Sequence, residues 1–252
     1  MKIIKTRSSI LSATMMLALL LASGCSSGTP STPETVVAPP PLATETTAPE
    51  IVIEPTADSN SGWKLYQHPT AKFSFQYPES WFGPEVYEAD QDLRIEIGSD
   101  MVYPYGTGSE DRNLTQKDSY YILIEYRPNT TQMTMEDYKT SSWISPIMDI
   151  FELADGETIS TARSLVIRVR EFELGQFKGV EYISTLSETA QTEHVYSRQI
   201  FLIDEELNIL MISGSANNVE ILDGANWKAD YQRVDQANLD IFYQVIESIA
   251  VE

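Results

Sequence analysis

An α+β fold is predicted for this 252-residue chain, with an antiparallel β-sheet of about six to seven strands flanked by helices as an α/β/α sandwich. Three features predict it. Apolar and polar residues alternate at period two in short runs between residues 63 and 126. Four more strand-like runs follow one another after residue 164 with only short turns between them. Two stretches, one in the middle and one at the end, pair a helix-start signal with apolar residues three and four positions apart.

The first hairpin is read from Trp63 and Leu65, then Phe73, Phe75 and Tyr77, which fall at every second position. One face of each strand is then apolar, while the other carries Lys64, Lys72, Ser74 and Gln76. His68-Pro69-Thr70 supplies the turn. Pro78, which has no N–H to donate, ends the second strand, and Trp81 is placed to lie back over the apolar face. Residues 93–97 and 120–126 read as further strands, the second too apolar at Ile122-Leu123-Ile124 for an edge. The long polar segment 98–118 between them carries Tyr103-Pro104-Tyr105-Gly106 at its tip, a candidate contact loop.

Thr134 and Asp137 have the spacing of a capping box, so a helix should begin there. Pro146 interrupts it and restarts a second short helix with Ser145 as cap, and Met135, Tyr138, Trp143, Ile147 and Ile150 form the expected buried side. Strands are expected at 165–173, 180–186, 194–203 and 207–213, turning at Gly175, at 187–191 and at Asp204-Glu205-Glu206. Such short connections make neighbours antiparallel. The last helix is expected to be capped by Asp235, with Val234 and Leu239 as a hydrophobic staple and Leu239, Phe242, Ile246 and Ile249 on its buried face.

The opening Phe73-Ser-Phe-Gln-Tyr-Pro-Glu-Ser-Trp81, the helix after the central strand, the late meander and the closing helix ending Ile246-Glu-Ser-Ile249 resemble the PsbP/Mog1-like domain. The resemblance covers about residues 63–251. It implies an antiparallel sheet sandwiched by helices, in a family of extrinsic photosystem II subunits, a nuclear-transport binding protein and many exported bacterial lipoproteins. What matches is architecture, so it implies no ligand and no catalytic residue, and no photosystem role.

Residues 1–24 have the three parts of a secretory leader: a basic tip (Lys2, Lys5, Arg7), an apolar centre over 10–21, and small residues before Cys25. The apolar run of about 12 residues is short of the roughly 20 that a bilayer-crossing helix needs. Leu21-Ala22-Ser23-Gly24-Cys25 resembles the lipobox of bacterial lipoproteins, with its leucine one place further from the cysteine than is usual. It implies that Cys25 is lipidated and becomes the new N-terminus; an ordinary cleaved leader beside a chance cysteine is the alternative. Cys25 is the sole cysteine, so no disulfide can form within the chain. Residues 25–61 are rich in Ser, Thr, Pro, Ala and Glu around Pro39-Pro40-Pro41 and cannot bury enough apolar area to fold. About 35 such residues span roughly 30 Å as a coil and roughly 100 Å when extended. The globular domain is expected over 62–252.

With 17 basic and 37 acidic side chains the formal charge is −20. Removing the leader leaves 14 basic residues against the same 37 acids, a charge of −23, which excludes nucleic acid as a partner. No phosphate loop, Gly-rich dinucleotide turn or His-Glu-x-x-His helix is present. His68 beside a turn proline and His194 in a strand read as structural, and Asp90-Gln91-Asp92 and Asp204-Glu205-Glu206 lack calcium-loop spacing. No cofactor, metal or catalytic residue is expected. The chain therefore reads as a lipid-anchored protein of the cell membrane or outer envelope, on the extracytoplasmic side. Its domain reads as a non-catalytic module that binds another envelope protein through Tyr103 and Tyr105 or through a sheet face. A small-ligand or cation binder is the alternative, and a hydrolase with an unrecognised site the third reading.

Overall fold

Alternating residues give strands here only where a second strand satisfies their backbone, and two separate antiparallel sheets result. The computed structural model describes residues 62–89, 92–106, 115–160, 164–186 and 195–251. The leader, Cys25, the tether, Asp90, Gln91 and His194 lie outside them, and so does the turn expected at 187–191. The smaller sheet joins β1 (Trp63–Gln67), β2 (Phe73–Pro78) and β11 (Ala250–Val251) in the order β1-β2-β11. The larger one joins β3 (Phe82–Ala89), β4 (Asp92–Gly98), β5 (Ser119–Arg127), β6 (Thr158–Ser160), β7 (Ser164–Leu174), β8 (Phe177–Leu186), β9 (Tyr196–Ile203) and β10 (Ile209–Asn217). Its order is β3-β4-β5-β10-β9-β8-β7-β6, so the expected six to seven strands become eight. β3 and the three-residue β6 form its edges. The helices are α1 (Met135–Thr140), α2 (Ser145–Phe151) and α3 (Trp227–Glu247).

The register assigns every side chain to a face. On one face Ile95 and Ile97 of β4 lie opposite Ile124 and Ile122 of β5, which lie opposite Ile212 and Gly214 of β10. These residues pack with Phe73, Phe75 and Tyr77 of β2 and with Phe242, Val245 and Ile246 of α3 in one core, so α3 and the small sheet cover this face. On the other face Val180, Tyr182, Phe201 and Ile209 pack with Tyr138 of α1, with Ile150 of α2 and with Ile144 just before it. The expected α/β/α layering and the central place of β5 are both found. Trp81 lies in the first core as expected.

β1 faces the other way from expectation. Tyr66 stands opposite Phe75 and Lys64 opposite Tyr77, so these two, and not Leu65, share the apolar face of β2. Tyr66 packs against the core with its ring 5.3 Å from that of Phe75, and Trp63 joins the core from the start of the strand. The Lys64 ammonium lies 4.8 Å from the Tyr77 ring centre and donates to the Trp81 carbonyl at 3.0 Å. A long aliphatic stem with a bonded head fits an apolar face as well as leucine does. β3, which alternation did not single out, starts with a bulge: the pairing with β4 shifts between Phe82 and Glu85, around Pro84.

The capping box at Thr134 forms, with Thr134 Oγ1 accepting from Asp137 N–H and the Asp137 carboxylate accepting from Thr134 N–H at 2.7 Å. Ser145 is not a cap; it is already the first residue of α2, which Ile144 precedes without a side-chain cap. Met135 and Trp143, expected inside, are 36% and 43% exposed, and the fully buried Ile144 takes their place.

The largest departure is Asp235. It lies deep within the 21-residue α3 rather than at its start, and the helix begins eight residues earlier, after a 3-10 turn capped by Asp223. Leu239 is half-buried and forms no staple. Asp235 is held mid-helix by a tertiary partner: Arg198 of β9 donates Nη2–H to Oδ2 at 2.6 Å and Nε–H to Oδ1 at 3.2 Å, and Tyr120 donates to Oδ1 at 3.1 Å. Arg198 Nη1 reaches Glu181 of β8 at 2.5 Å, and Glu181 also accepts from Tyr243 at 2.7 Å and from Arg170 Nε at 2.7 Å. Burial alone would lower the Arg198 pKa, but the Asp235 and Glu181 carboxylates outweigh it and raise it above the ordinary value. Gly214 makes room for this group, since a Cβ there would lie 2.2 Å from the Tyr120 hydroxyl.

Asp235→Ala would leave the buried Arg198 with Glu181 as its one remaining carboxylate among these contacts and take away the acceptor of the Tyr120 hydroxyl, so it should cost about 3–5 kcal/mol in urea unfolding; a loss below about 1 kcal/mol would show that the carboxylate is not committed to Arg198. Burial pushes the phenols of Tyr66, Tyr77, Tyr182, Tyr196 and Tyr243 from 10.0 up to about 12. A raised phenol favours the folded chain fully below its unfolded value of 10.0, and that contribution disappears as pH rises from there toward about 12. Cooperative unfolding in that window, with phenolate absorbance rising in step with loss of ellipticity, is the expected result. Phenolate absorbance that is complete by about pH 10 while the ellipticity stays native would contradict it.

Candidate functional site

The outward face of the large sheet divides along its length. Over β8, β9 and β10 it is apolar and lies under α1 and α2. Over β3, β4 and β5 the same face carries Tyr87, Arg94, Glu96, Leu123, Glu125 and Arg127, because these alternate with the core residues Leu93, Ile95, Ile97, Ile122 and Ile124.

The described parts of the candidate loop, 98–106 and 115–118, lie back on this face. Ser99 fixes its start, donating N–H to the Tyr120 carbonyl at 2.9 Å and accepting Tyr120 N–H on its hydroxyl at 2.8 Å. Asp100 ties the two ends together by accepting Gln116 N–H at 2.6 Å. Thr115 holds the return, accepting from Asn217 Nδ2 at 3.1 Å and, on its carbonyl, from Asn218 Nδ2 at 2.6 Å. Gly98 permits the crossing: a Cβ there would sit 2.4 Å from the Tyr121 ring, whose hydroxyl donates to the Met101 carbonyl at 3.1 Å.

The two tyrosines of the loop have different surroundings. Tyr105 is 55% exposed, with its ring 4.4 Å from that of Tyr87 and the Arg94 guanidinium 4.9 Å from its centre. Arg94 also bonds Glu125 at 3.3 Å, and Arg127, beside both Asp92 and Glu125, covers the Trp143 ring at 4.8 Å. Three partly exposed aromatic rings are thus held in place by two arginines. Tyr103 is less exposed and lines a cleft of about 110 Å³ with Glu96, Tyr121, Ser215, Ala216 and Asn217, well short of the roughly 300–1,000 Å³ of small-molecule pockets. Burial raises the Tyr121 pKa; the Asp100 and Glu96 carboxylates add to the rise, against the hydroxyls of Ser119 and Thr115.

Tyr103 and Tyr105 were visible in the sequence as aromatic residues in a polar segment. Tyr87, Arg94 and Arg127 were not singled out there, and Trp143 was expected on the buried side of the middle helices. The other candidates are engaged elsewhere. His68 is buried, its Nδ1 accepting from Ala71 N–H at 2.9 Å and its Nε2 lying 2.7 Å from Glu88, so it closes the first hairpin. Asp204 closes the β9–β10 turn by accepting from the Glu206 and Asn208 amides. Asp92 faces Arg127 at 3.8 Å. Among the described residues no group of three or more His, Cys, Asp or Glu side chains is placed to hold a metal ion.

No family model matches the chain, and no curated protein matches it. Among solved structures, the solution structure of cyanobacterial PsbP (CyanoP) from Synechocystis sp. PCC 6803 aligns with 79% of this chain and 99% of its own, at 12% identity and a TM-score of 0.36. An overlap that loose says nothing of ligands or partners, and the α+β class stands on the strand order and layering described above.

Proposed function

We propose that this chain is a lipid-anchored extracytoplasmic protein whose globular part binds another envelope protein and catalyses no reaction. The observation that carries the binding role is the outward face of β3–β5, where Tyr87, Tyr105 and Trp143 are partly exposed yet held by one another and by Arg94 and Arg127. Tyrosine, tryptophan and arginine dominate the energetics of protein interfaces, and rings already fixed in place lose less freedom on binding. The buried ionisable cluster Glu181, Arg198 and Asp235 supports a non-catalytic role, because its carboxylates are bonded to arginines and tyrosines of the core. The anchoring role rests on the leader and on the lipobox-like run ending at Cys25. No helix among the described residues is long and apolar enough to cross a membrane.

A photo-crosslinking residue placed at Tyr87 or Tyr105 in the full chain should capture one dominant envelope protein, and one placed at the exposed Gln236 of α3 should not. Arg94→Ala with Trp143→Ala should lower the yield from position 105 without unfolding the domain. Equal capture from positions 105 and 236 would remove the face from consideration. Cys25→Ala should abolish labelling by a palmitate analogue and move the protein from the detergent to the aqueous phase, or leave it as precursor; unchanged labelling and partition would refute the anchor.

A further inference from the structure

The place where the chain enters the globular part is fixed by its pairing. Gly62 accepts Glu79 N–H on its carbonyl at 2.9 Å, and Trp63 beside it stands opposite Pro78 at the end of β2. Trp81 N–H bonds back to the Pro78 carbonyl at 3.0 Å, and the next residue, Phe82, opens β3 opposite Gly98. Gly98 stands opposite Tyr121, and Tyr121 opposite Ser215, so the register carries that end across the large sheet to the close of β10. Asp118 N–H then bonds to the Asn218 carbonyl just beyond it at 3.1 Å. Gly62 and the segment 218–226 therefore lie at one end of the sheet.

Apolar side chains stand exposed at this end. They are Phe82 of β3, Met101 just after β4, and Ile221 and Leu222 beyond β10, the last of them 70% exposed. The segment that bears Ile221 and Leu222 is firmly held: Asn218 Nδ2 donates to the Thr115 carbonyl at 2.6 Å, Glu220 N–H to Asp118 at 2.9 Å, and Leu222 N–H to the buried Asp230 at 2.9 Å. Its flanking charges are paired, Lys117 with Glu220 at 2.7 Å and Arg233 with Asp118 at 2.9 Å. Leucine is under-represented among the residues that dominate protein interfaces, whereas aliphatic side chains gain from burial at the boundary of headgroups and acyl chains. This end thus differs in chemistry from the tyrosines and arginines of the β3–β5 face. It is also where the tether enters. A coil of about 35 residues spans roughly 30 Å and keeps the surface to which it is tied at an effective concentration of order millimolar, so a few weak apolar contacts suffice.

We propose that Phe82, Met101, Ile221 and Leu222 insert into the surface of the lipid bilayer to which the chain is tied. The proposal rests on the lipid-anchored reading above and adds the orientation of the domain on its membrane. The strands of the large sheet then stand up from the bilayer, and the β3–β5 face looks sideways toward neighbouring envelope proteins.

The test uses the full lipidated chain in phosphatidylcholine vesicles. Cys25 is the sole cysteine, so once it is lipidated an introduced thiol takes a nitroxide label selectively. Labels are placed at Leu222→Cys, at Met101→Cys and, in the β9–β10 turn at the opposite end of the sheet, at Glu205→Cys. Relative to a water-soluble nickel chelate, oxygen should reach the labels at 222 and 101 several times better than the label at 205. Ile221→Ser with Leu222→Ser, checked to be folded by its melting temperature, should return the label at 101 to the nickel chelate. The preference should persist in 1 M salt, where the Debye length is about 3 Å, because apolar insertion is not screened. A label at 222 as open to nickel as that at 205, a preference lost in salt, or dipolar broadening that reveals a second copy seated on the segment would each overturn the proposal. The anchor is read separately. If Cys25→Ala abolishes palmitate labelling while 222 stays open to nickel, the insertion falls and the anchor stands; if palmitate labelling is unchanged while 222 still favours oxygen in vesicles, the reverse holds.

Discussion

Arg198 sits in the core only because two carboxylates and two tyrosines converge on it and its partners, and much of the fold is arranged to make that convergence possible. Glu181 comes from β8, Arg198 from β9, Tyr120 from β5, and Asp235 and Tyr243 from α3. Each of these strands must hold its register for the group to close, and α3 must run unbroken through Asp235. The group fixes the rotation of α3 over the sheet, which a purely apolar contact among Phe242, Val245 and Ile246 would specify less tightly. Where the group meets solvent, the Arg170 guanidinium lies 5.0 and 4.8 Å from the ring centres of Phe172 and Tyr243 and pairs with the carboxylate of Glu181 at 2.7 Å.

Sequence reading recovered what local periodicity encodes. β2, β4, β5 and the four-strand meander all carry apolar residues at every second position, and the sheet face they build was legible in advance. It failed where a distant residue decides. Asp235 looks like a helix cap because aspartate before an apolar run usually is one; its true partner lies 37 positions away, on strand β9. β1 has apolar residues on both faces, so alternation alone chose the wrong one, and β3 is an edge strand with a bulge whose composition carries no clear period. Of the candidate face, Tyr103 and Tyr105 were visible, whereas Arg94 and Tyr87 gain meaning only from the register that sets them side by side.

The two halves of the outward face show how one sheet serves two purposes. Over β8 to β10 the outward positions are Val180, Tyr182, Phe201, Ile209 and Met211, and α1 and α2 cover them. Over β3 to β5 they are arginines, glutamates and tyrosines, and the described part of the covering is a short return of chain held by Ser99, Asp100 and Thr115. The ladder that pairs β10 with β5 and β5 with β4 carries the register of the covered half into the second, so that Tyr87, Arg94 and Arg127 are presented from strands rather than from a loop.

The bulge at the start of β3 has a consequence for a population of molecules rather than for one. Chains held to a surface through Cys25 would meet edge to edge far more often than chains in free solution, and an open strand edge is a template for its own copy. Here Pro84 withholds one donor from that edge and the shift between Phe82 and Glu85 twists its first residues out of line. At the opposite end of the sheet β6 is three residues long, too short to seed a lasting pairing. Two such edges leave little by which one copy could pair with the next in a continuous ribbon.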